Sequence, residues 1–165
     1  MDRLILLRHG KAEPDSDSGE DFDRRLAPRG VEESLEVATR LAEMGFQPDL
    51  ALVSTAARAK GTWEAAQPSF PAAQTRFAAN LYHADSGAIR AAAEKAGETC
   101  GTLIVVGHNP GMQELSIQLL LEGHAPAGLI ARARRSFPTA AAAVFLFDGA
   151  GRPQYDGLFF PEGRY

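Results

Sequence analysis

Three short segments of the chain carry side chains that could bind and transfer a phosphate group. Arg8-His9-Gly10 ends an apolar run, Ser54 precedes Arg58 by four positions, and His108-Asn109 follows a second apolar run. An arginine guanidinium donates two hydrogen bonds to an oxyanion at once, which suits it to phosphate. A neutral imidazole can act as a nucleophile, and it can also hold developing charge. These residue types together indicate a phosphate site.

The apolar runs before these segments predict the strands that position them. Residues 4–7, 50–53 and 102–106 are short and aliphatic, which favours strands buried on both faces of a parallel sheet. Parallel strands have their carboxyl ends at one edge, where open α/β sheets bind ligands. Two of the three ends also open helices, whose amino termini attract anions. We therefore expect both arginines and both histidines at one edge.

The spacing of apolar residues predicts the rest of the fold. Helices are expected over 31–44, 57–66 and 87–96 and from Gly111 through Leu120, with Pro28 in the first turn of the first helix. Further strands are expected over 74–78, 140–147 and 154–160. Residues 13–25 predict a loop with mostly solvated charges, and 123–138 give no assignment. The alternation favours an α/β fold: a mostly parallel central sheet, helices on both faces and one antiparallel edge strand.

Length and charge restrict the class of protein. The chain has 165 residues, which fits one domain over 1–165. Its formal net charge is -4, which argues against broad binding to nucleic acid or to an anionic membrane. The pattern predicts no signal peptide and no transmembrane segment, so a cytoplasmic protein is expected. The one cysteine, Cys100, cannot form an internal disulfide.

Metal binding is the competing use of the two histidines. The sequence has no helical histidine pair and no cysteine set at metal-ligand spacing, and two guanidinium groups would repel a divalent cation. We therefore expect neither a metal nor a cofactor. The chain has no P-loop. Spacing alone leaves a Ser-His-Asp site open, although no Gly-x-Ser-x-Gly segment is present.

Four segments of the chain resemble the histidine phosphatase superfamily and, within it, the SixA-like phosphohistidine phosphatases. They occur in the family's order: LILLRHGKAE, RRLAPRG, LVSTAARAKGTWEAA and LIVVGHNPGMQEL. The resemblance implies a three-layer fold like that of phosphoglycerate mutase and a metal-independent phosphatase activity. The chain lacks room for the long helical insertions of phosphoglycerate mutases and acid phosphatases. The pocket would then be more open, which suits a phosphorylated side chain of a protein.

The resemblance also implies roles for four residues. His9 matches the nucleophile that takes the phosphoryl group, and Arg8 and Arg58 match its two phosphate clamps. His108 matches the second histidine, which holds the phosphate and the developing charge. Neutral His9 would attack with one ring nitrogen while a backbone carbonyl holds the proton on the other. Water would then hydrolyse the phosphohistidine intermediate.

Five further residues complete the predicted site. Arg24 stands where the SixA-like group carries an arginine, and we group it with Ser54 and Asn109 as substrate-binding. Asp85 and Glu13 are candidate general acids, with a solvated loop carboxylate as the alternative for each. A missing acid would fit a phosphoramidate substrate, because imidazole leaves more readily than an alkoxide and needs less proton donation.

Three functions remain open on the sequence alone. The leading one is hydrolysis of phosphohistidine on a protein, such as a histidine phosphotransfer domain or a similar partner, through an intermediate on His9. The second is the same chemistry on a small phosphate ester. The third is a phosphate-binding module without catalysis. A phosphohistidine protein assayed against ester substrates separates the first two, and any turnover excludes the third.

Overall fold

A six-stranded sheet organises residues 1–164, which the computed structural model describes. Its strands are β1 (Arg3–Arg8), β2 (Leu50–Ser54), β3 (Gln74–Ala78), β4 (Thr102–Gly107), β5 (Ala142–Phe147) and β6 (Pro153–Phe159). The α-helices in this range are α1 (Pro28–Glu43), α2 (Ala57–Ala66), α3 (Ser86–Gly97), α4 (Gly111–Glu122) and α5 (Ala127–Arg135). None of these helices has the length and hydropathy that crossing a membrane would require.

The order of strands brings the predicted site segments side by side. Across the sheet the order is β3-β2-β4-β1-β5-β6. The first four strands are parallel, β5 is antiparallel to β1, and β6 is antiparallel to β5. This confirms the mostly parallel α/β sheet and the antiparallel pairing at its edge. Arg8 pairs with Gly107 and Val53 with Val106, so β1, β4 and β2 end together.

The side chains of the central strands point alternately to the two faces of the sheet, and helices cover both faces. Successive side chains of a strand point to opposite faces of the sheet. Leu4 and Leu6 of β1 belong to the core that includes buried residues of α3, α4 and α5. Ile5 and Leu7 belong to the core formed with α1 and α2. The three-layer arrangement is therefore present, with each central strand buried on both sides.

The first helix packs unusually close to the end of β1. It begins at Pro28, whose fixed φ suits the first helical position. A Cβ atom on Gly10 would lie 2.7 Å from the carbonyl oxygen of Gly30 in α1. A Cβ atom on Gly30 would overlap the carbonyl oxygen of Lys11. Glycine at both positions thus lets α1 fix the backbone directly after the first predicted site segment.

One helix lies in a range for which the sequence predicted no secondary structure. Helix α5 occupies part of the unassigned range 123–138, and Ala133 is the fully buried residue of this helix. Its apolar face is short, with Leu129 and Ile130 half-buried and Ala133 buried, and arginines fill its last turn. It is held by contacts from elsewhere, including a 2.8 Å hydrogen bond from the Gln113 side chain of α4 to the Ala133 carbonyl.

Candidate active site

His9, Arg58 and His108 form a buried cluster at the carboxyl edge of the sheet. Nε of Arg58 lies 3.4 Å from Nε2 of His9. The ring centroids of His9 and His108 are 5.1 Å apart. The residues are 8%, 7% and 6% exposed, respectively. His9 directly follows β1, Arg58 lies in the first turn of α2, and His108 directly follows β4. Three segments that are distant in sequence therefore meet around one small volume.

The hydrogen bonding of His9 decides which of its nitrogens can react. Nδ1 lies 2.7 Å from the carbonyl oxygen of Gly10. A carbonyl oxygen only accepts hydrogen bonds, so Nδ1 carries the ring proton and Nε2 keeps a lone pair. Burial, together with the nearby charges of Arg58 and Arg8, lowers the pKa of His9 to about 3. The ring is therefore neutral at pH 7, with its lone pair beside Arg58.

Ser54 holds the ring of His108. Its hydroxyl lies 2.8 Å from Nε2 of His108 and accepts a 3.3 Å hydrogen bond from the amide of Ala56. The hydroxyl proton can therefore point at Nε2, which places the ring proton on Nδ1. Burial, followed by the charge of Arg58, lowers the pKa of His108 to about 4. Ser54 itself is fully buried, so the structure places it behind His108 rather than along the cleft.

Arg8 and His108 each present a buried polar nitrogen without a partner among residues 1–164. These atoms are Nε of Arg8 and Nδ1 of His108. Nη1 of Arg8 donates to the carbonyl of Phe137 over 3.0 Å, which fixes the guanidinium. Burial, with the charge of Arg58, lowers the pKa of Arg8 from its usual value. An oxyanion is the kind of ligand that accepts hydrogen bonds from such donors.

A cleft of about 430 Å³ opens onto Arg58 and His108 of this cluster, whereas His9 and Arg8 do not line it. Its lining includes Arg58, His108, Asn109 and the carboxylates of Asp21, Asp85 and Glu114. A larger groove, about 610 Å³, lies elsewhere along α1 and α2 between Val31 and Gly61, and no histidine lines it. Among residues 1–164, no group of three histidine, cysteine or acidic side chains could hold a metal ion.

Two of the residues predicted to bind substrate make hydrogen bonds within the protein. Asn109 lines the cleft, but its amide donates to the Phe137 carbonyl over 3.0 Å and its oxygen accepts from the Gln113 amide over 3.1 Å. Arg24 donates to the Glu13 carbonyl and to Asp21, each over 2.8 Å. Asn109 thus holds the start of α4, and Arg24 braces the loop after β1.

The two candidate acids occupy different places. Asp85 lines the cleft and caps α3, where its carboxylate accepts a 2.8 Å hydrogen bond from the Ala88 amide. Glu13 is half-buried beside Arg24 and does not line the cleft. The exposed Glu114 of α4 also lines the cleft, and the sequence analysis did not single it out.

Asp21 is a residue of this site that its sequence context does not reveal. The sequence predicts mostly solvated charges over residues 13–25, and 45% of the Asp21 side chain is exposed, although it also contacts Arg58. Arg58 donates to the carbonyl of Asp21 over 2.9 Å and to its carboxylate over 3.1 Å. The hydroxyl of Tyr82 donates to the same carboxylate over 2.6 Å. The local signal was weak: Arg24, three positions away, forms an ion pair with Asp21 that any exposed loop could contain.

Comparison with known proteins identifies the family of this chain. The family described as histidine phosphatase superfamily (branch 1) matches residues 4–96. An uncharacterised protein of Mycobacterium tuberculosis is 35% identical over 144 residues, which are 87% of this chain and 88% of that protein.

Two solved structures share the fold over nearly the whole chain. A candidate phosphohistidine phosphatase SixA from Agrobacterium tumefaciens has a TM-score of 0.83 at 30% identity, covering 97% of this chain and 98% of that one. The protein histidine phosphatase SixA complexed with tungstate has a TM-score of 0.76 at 24% identity, covering 96% and 97%. The sheet and its helices form a phosphoglycerate mutase-like α/β fold. The chain belongs to the histidine phosphatase superfamily.

Proposed function

We propose that this protein hydrolyses phosphohistidine on another protein, without a metal, through a phosphorylated intermediate on His9. The observation that carries the proposal is the 2.7 Å contact between Nδ1 of His9 and the Gly10 carbonyl. It leaves Nε2 unprotonated beside the guanidinium of Arg58, as a nucleophile for phosphorus requires. Membership of a superfamily of phosphatases supports this reaction class.

In the first step, Nε2 of His9 forms a bond to phosphorus as the bond from phosphorus to the leaving group breaks. The phosphoryl oxygens gain charge, and Arg8, Arg58 and His108 can donate hydrogen bonds to them. The imidazole ring of phosphorylated His9 is cationic and carries the anionic phosphoryl group on Nε2, while Nδ1 keeps its proton and still donates it to the Gly10 carbonyl. The leaving imidazole of the substrate takes a proton from solvent or from a group in the cleft.

In the second step, water attacks phosphorus and the bond from Nε2 to phosphorus breaks. Inorganic phosphate leaves, and His9 returns to its neutral form with the proton still on Nδ1. The clamping arginines do not change their protonation in either step.

Phosphohistidine is the proposed substrate for two reasons. The solved relative from Agrobacterium tumefaciens, 30% identical, is described as a candidate phosphohistidine phosphatase. Asp85 is used as a helix cap, and imidazole is a leaving group that depends less on a protonating carboxylate. A phosphorylated histidine phosphotransfer domain, or a similar protein, is the kind of partner that would present this group to an open cleft.

A small phosphate ester is the alternative substrate. Asp85 and Glu114 both line the cleft, and either carboxyl group could protonate an alkoxide as it leaves. This alternative shares the attack by His9 and differs only in the leaving group.

A trapping experiment tests the proposal. A protein carrying ³²P-labelled phosphohistidine is mixed with wild type, His9→Ala or His124→Ala, quenched in alkali, and the two proteins are separated by size. We expect acid-labile label on wild type and on the His124→Ala control, whose side chain is exposed outside the cleft, and none on His9→Ala. Release of phosphate from the labelled protein by His9→Ala at the wild-type rate would contradict attack by His9.

A substrate comparison separates the two candidates. The proposal expects a higher kcat/KM for the phosphohistidine protein than for any of a panel of small phosphate esters. The opposite order would favour the ester. Phosphate binding without any turnover would leave only a binding module.

A further inference from the structure

Asp21 holds the guanidinium of Arg58 on the side that faces away from His9. Nη1 of Arg58 donates to the Asp21 carbonyl over 2.9 Å, and Nη2 donates to Oδ2 over 3.1 Å. Nε of the same group lies 3.4 Å from Nε2 of His9. The guanidinium is planar and its donors form a rigid fork. Anchoring both terminal nitrogens therefore fixes the direction in which the Nε proton points.

Asp21 is itself held in place. The Tyr82 hydroxyl donates to Oδ2 over 2.6 Å, and Nη1 of Arg24 donates to Oδ1 over 2.8 Å. The Tyr82 hydrogen bond, then that from Arg24 and the charge of Arg58, hold the pKa of Asp21 well below its usual range. Phe22 packs edge-on against Tyr82, with ring centroids 5.1 Å apart. The loop after β1 and the loop after β3 thus meet at one ionised carboxylate.

The charge of Asp21 is unfavourable for simple anion binding. A carboxylate beside the clamp repels an incoming phosphate and occupies two donors of Arg58. A catalytic benefit from Asp21 would therefore come from orientation rather than from attraction. An interaction that is realised only in the transition state raises kcat without lowering KM.

We propose that Asp21 is a positioning residue that aims Nε of Arg58 at the phosphoryl oxygen next to His9, and that Tyr82 fixes Asp21 for this role. The inference rests on the proposed phosphoryl transfer to His9 and does not depend on which phosphorylated substrate the enzyme prefers. The competing explanation is that Asp21 merely secures the loop of residues 13–25.

The test compares Asp21→Ala, Asp21→Asn and Tyr82→Phe with Asp23→Ala. Asp23 lies in the same turn, and its carboxylate accepts from Ser18 over 2.7 Å instead of from Arg58. Steady-state kinetics use para-nitrophenyl phosphate. Inhibition is measured with vanadate, which resembles the five-coordinate transition state, and with inorganic phosphate, which resembles the ground state. Melting temperatures are recorded for every variant.

We expect Asp21→Ala to lower kcat about 10- to 100-fold, the loss typical of a misplaced catalytic group. KM and the inhibition constant for phosphate should stay level or fall, because a repelling charge is gone. Vanadate inhibition should weaken in proportion to kcat/KM. Asp21→Asn keeps an acceptor oxygen and should retain more activity, as should Tyr82→Phe. Asp23→Ala should match wild type.

The inference is overturned if Asp21→Ala keeps kcat within about twofold of wild type, or if phosphate and vanadate inhibition weaken equally. It is also overturned if Asp21→Ala and Asp23→Ala lose activity and melting temperature together, since the role would then be structural. If wild type turns over no phosphorylated substrate, both this inference and the proposed function fail. If it turns over the ester but not phosphohistidine, only the proposed substrate fails.

Discussion

The amide of Gly10 donates a hydrogen bond to the hydroxyl of Thr62 over 2.9 Å. The same hydroxyl donates to the carbonyl of Arg58 over 2.8 Å. Thr62 is fully buried and lies one turn after Arg58 on α2. One side chain therefore connects the backbone beside His9 to the helix that carries the second clamp.

Thr62→Val removes this connection and keeps the shape of the side chain. The Gly10 amide is then buried without a partner, which typically costs about 1–3 kcal/mol of stability. We expect a lower free energy of unfolding in urea. We also expect a lower kcat, because the backbone beside His9 is no longer hydrogen-bonded to the helix that carries Arg58. Thr62→Ser, which keeps the hydroxyl, should retain most of both. Wild-type kcat in Thr62→Val would show that the connection has no catalytic effect.

Ser54→Ala should act through His108. Without the hydroxyl, the ring of His108 loses the partner 2.8 Å from its Nε2, and its proton is no longer directed to Nδ1. We expect kcat/KM to fall about tenfold, as for other losses of orientation. Ser116→Ala is the control, since Ser116 is an equally buried serine whose hydroxyl bonds within α4. Equal kinetic losses in both variants would point to a general packing defect.

Gly30→Ala should disturb the segment that carries His9. The added methyl group would overlap the Lys11 carbonyl, so the loop after β1 or the start of α1 must move. Overpacking of this kind typically costs about 1–3 kcal/mol, and kcat should fall with it. Gly128→Ala in α5 meets nothing within 4 Å and should gain about 0.5–1 kcal/mol in stability at unchanged kcat. Denaturation curves and kcat measured for both variants test these two expectations.

The two buried histidines should make the protein less stable in mild acid. Burial lowers the pKa of His9 to about 3 and that of His108 to about 4, from an ordinary value of 6.5. Between these values and pH 6.5 the unfolded chain binds protons that the native state does not. The free energy of unfolding should therefore fall as the pH falls below about 6.5.

Urea denaturation at several pH values tests this dependence. His9→Asn removes one of the two titrating groups and should flatten the decline below about pH 6.5. Ser116→Ala is the control, because it removes a buried polar side chain that does not titrate and should leave the slope unchanged. An equally steep decline in His9→Asn would contradict a suppressed pKa for His9.

Much of the fold could be predicted because its signals are local. The aliphatic runs that became β1, β2 and β4 are too short and too apolar for anything but buried strands, and their parallel arrangement follows from the helices between them. The placement of His9 and His108 at one edge follows from the same pattern. Helix α5 could not be predicted, because Ala133 is its one fully buried residue and a single buried position gives little periodic signal. Contacts with α4, such as the hydrogen bond to the Ala133 carbonyl, hold it in place.

Residue identity and periodicity were thus enough to indicate a phosphate pocket of arginines and histidines at one edge of the sheet. The roles of His9 as nucleophile and of Arg8 and Arg58 as clamps came from the resemblance to the histidine phosphatase superfamily. Residue identity and periodicity could not indicate that Asp21 meets Arg58 and Tyr82, since these contacts span 37 and 61 positions and depend on how two loops fold over the sheet. Nor could they supply the burial that keeps His9 neutral, because desolvation is a property of the packed molecule and not of any segment.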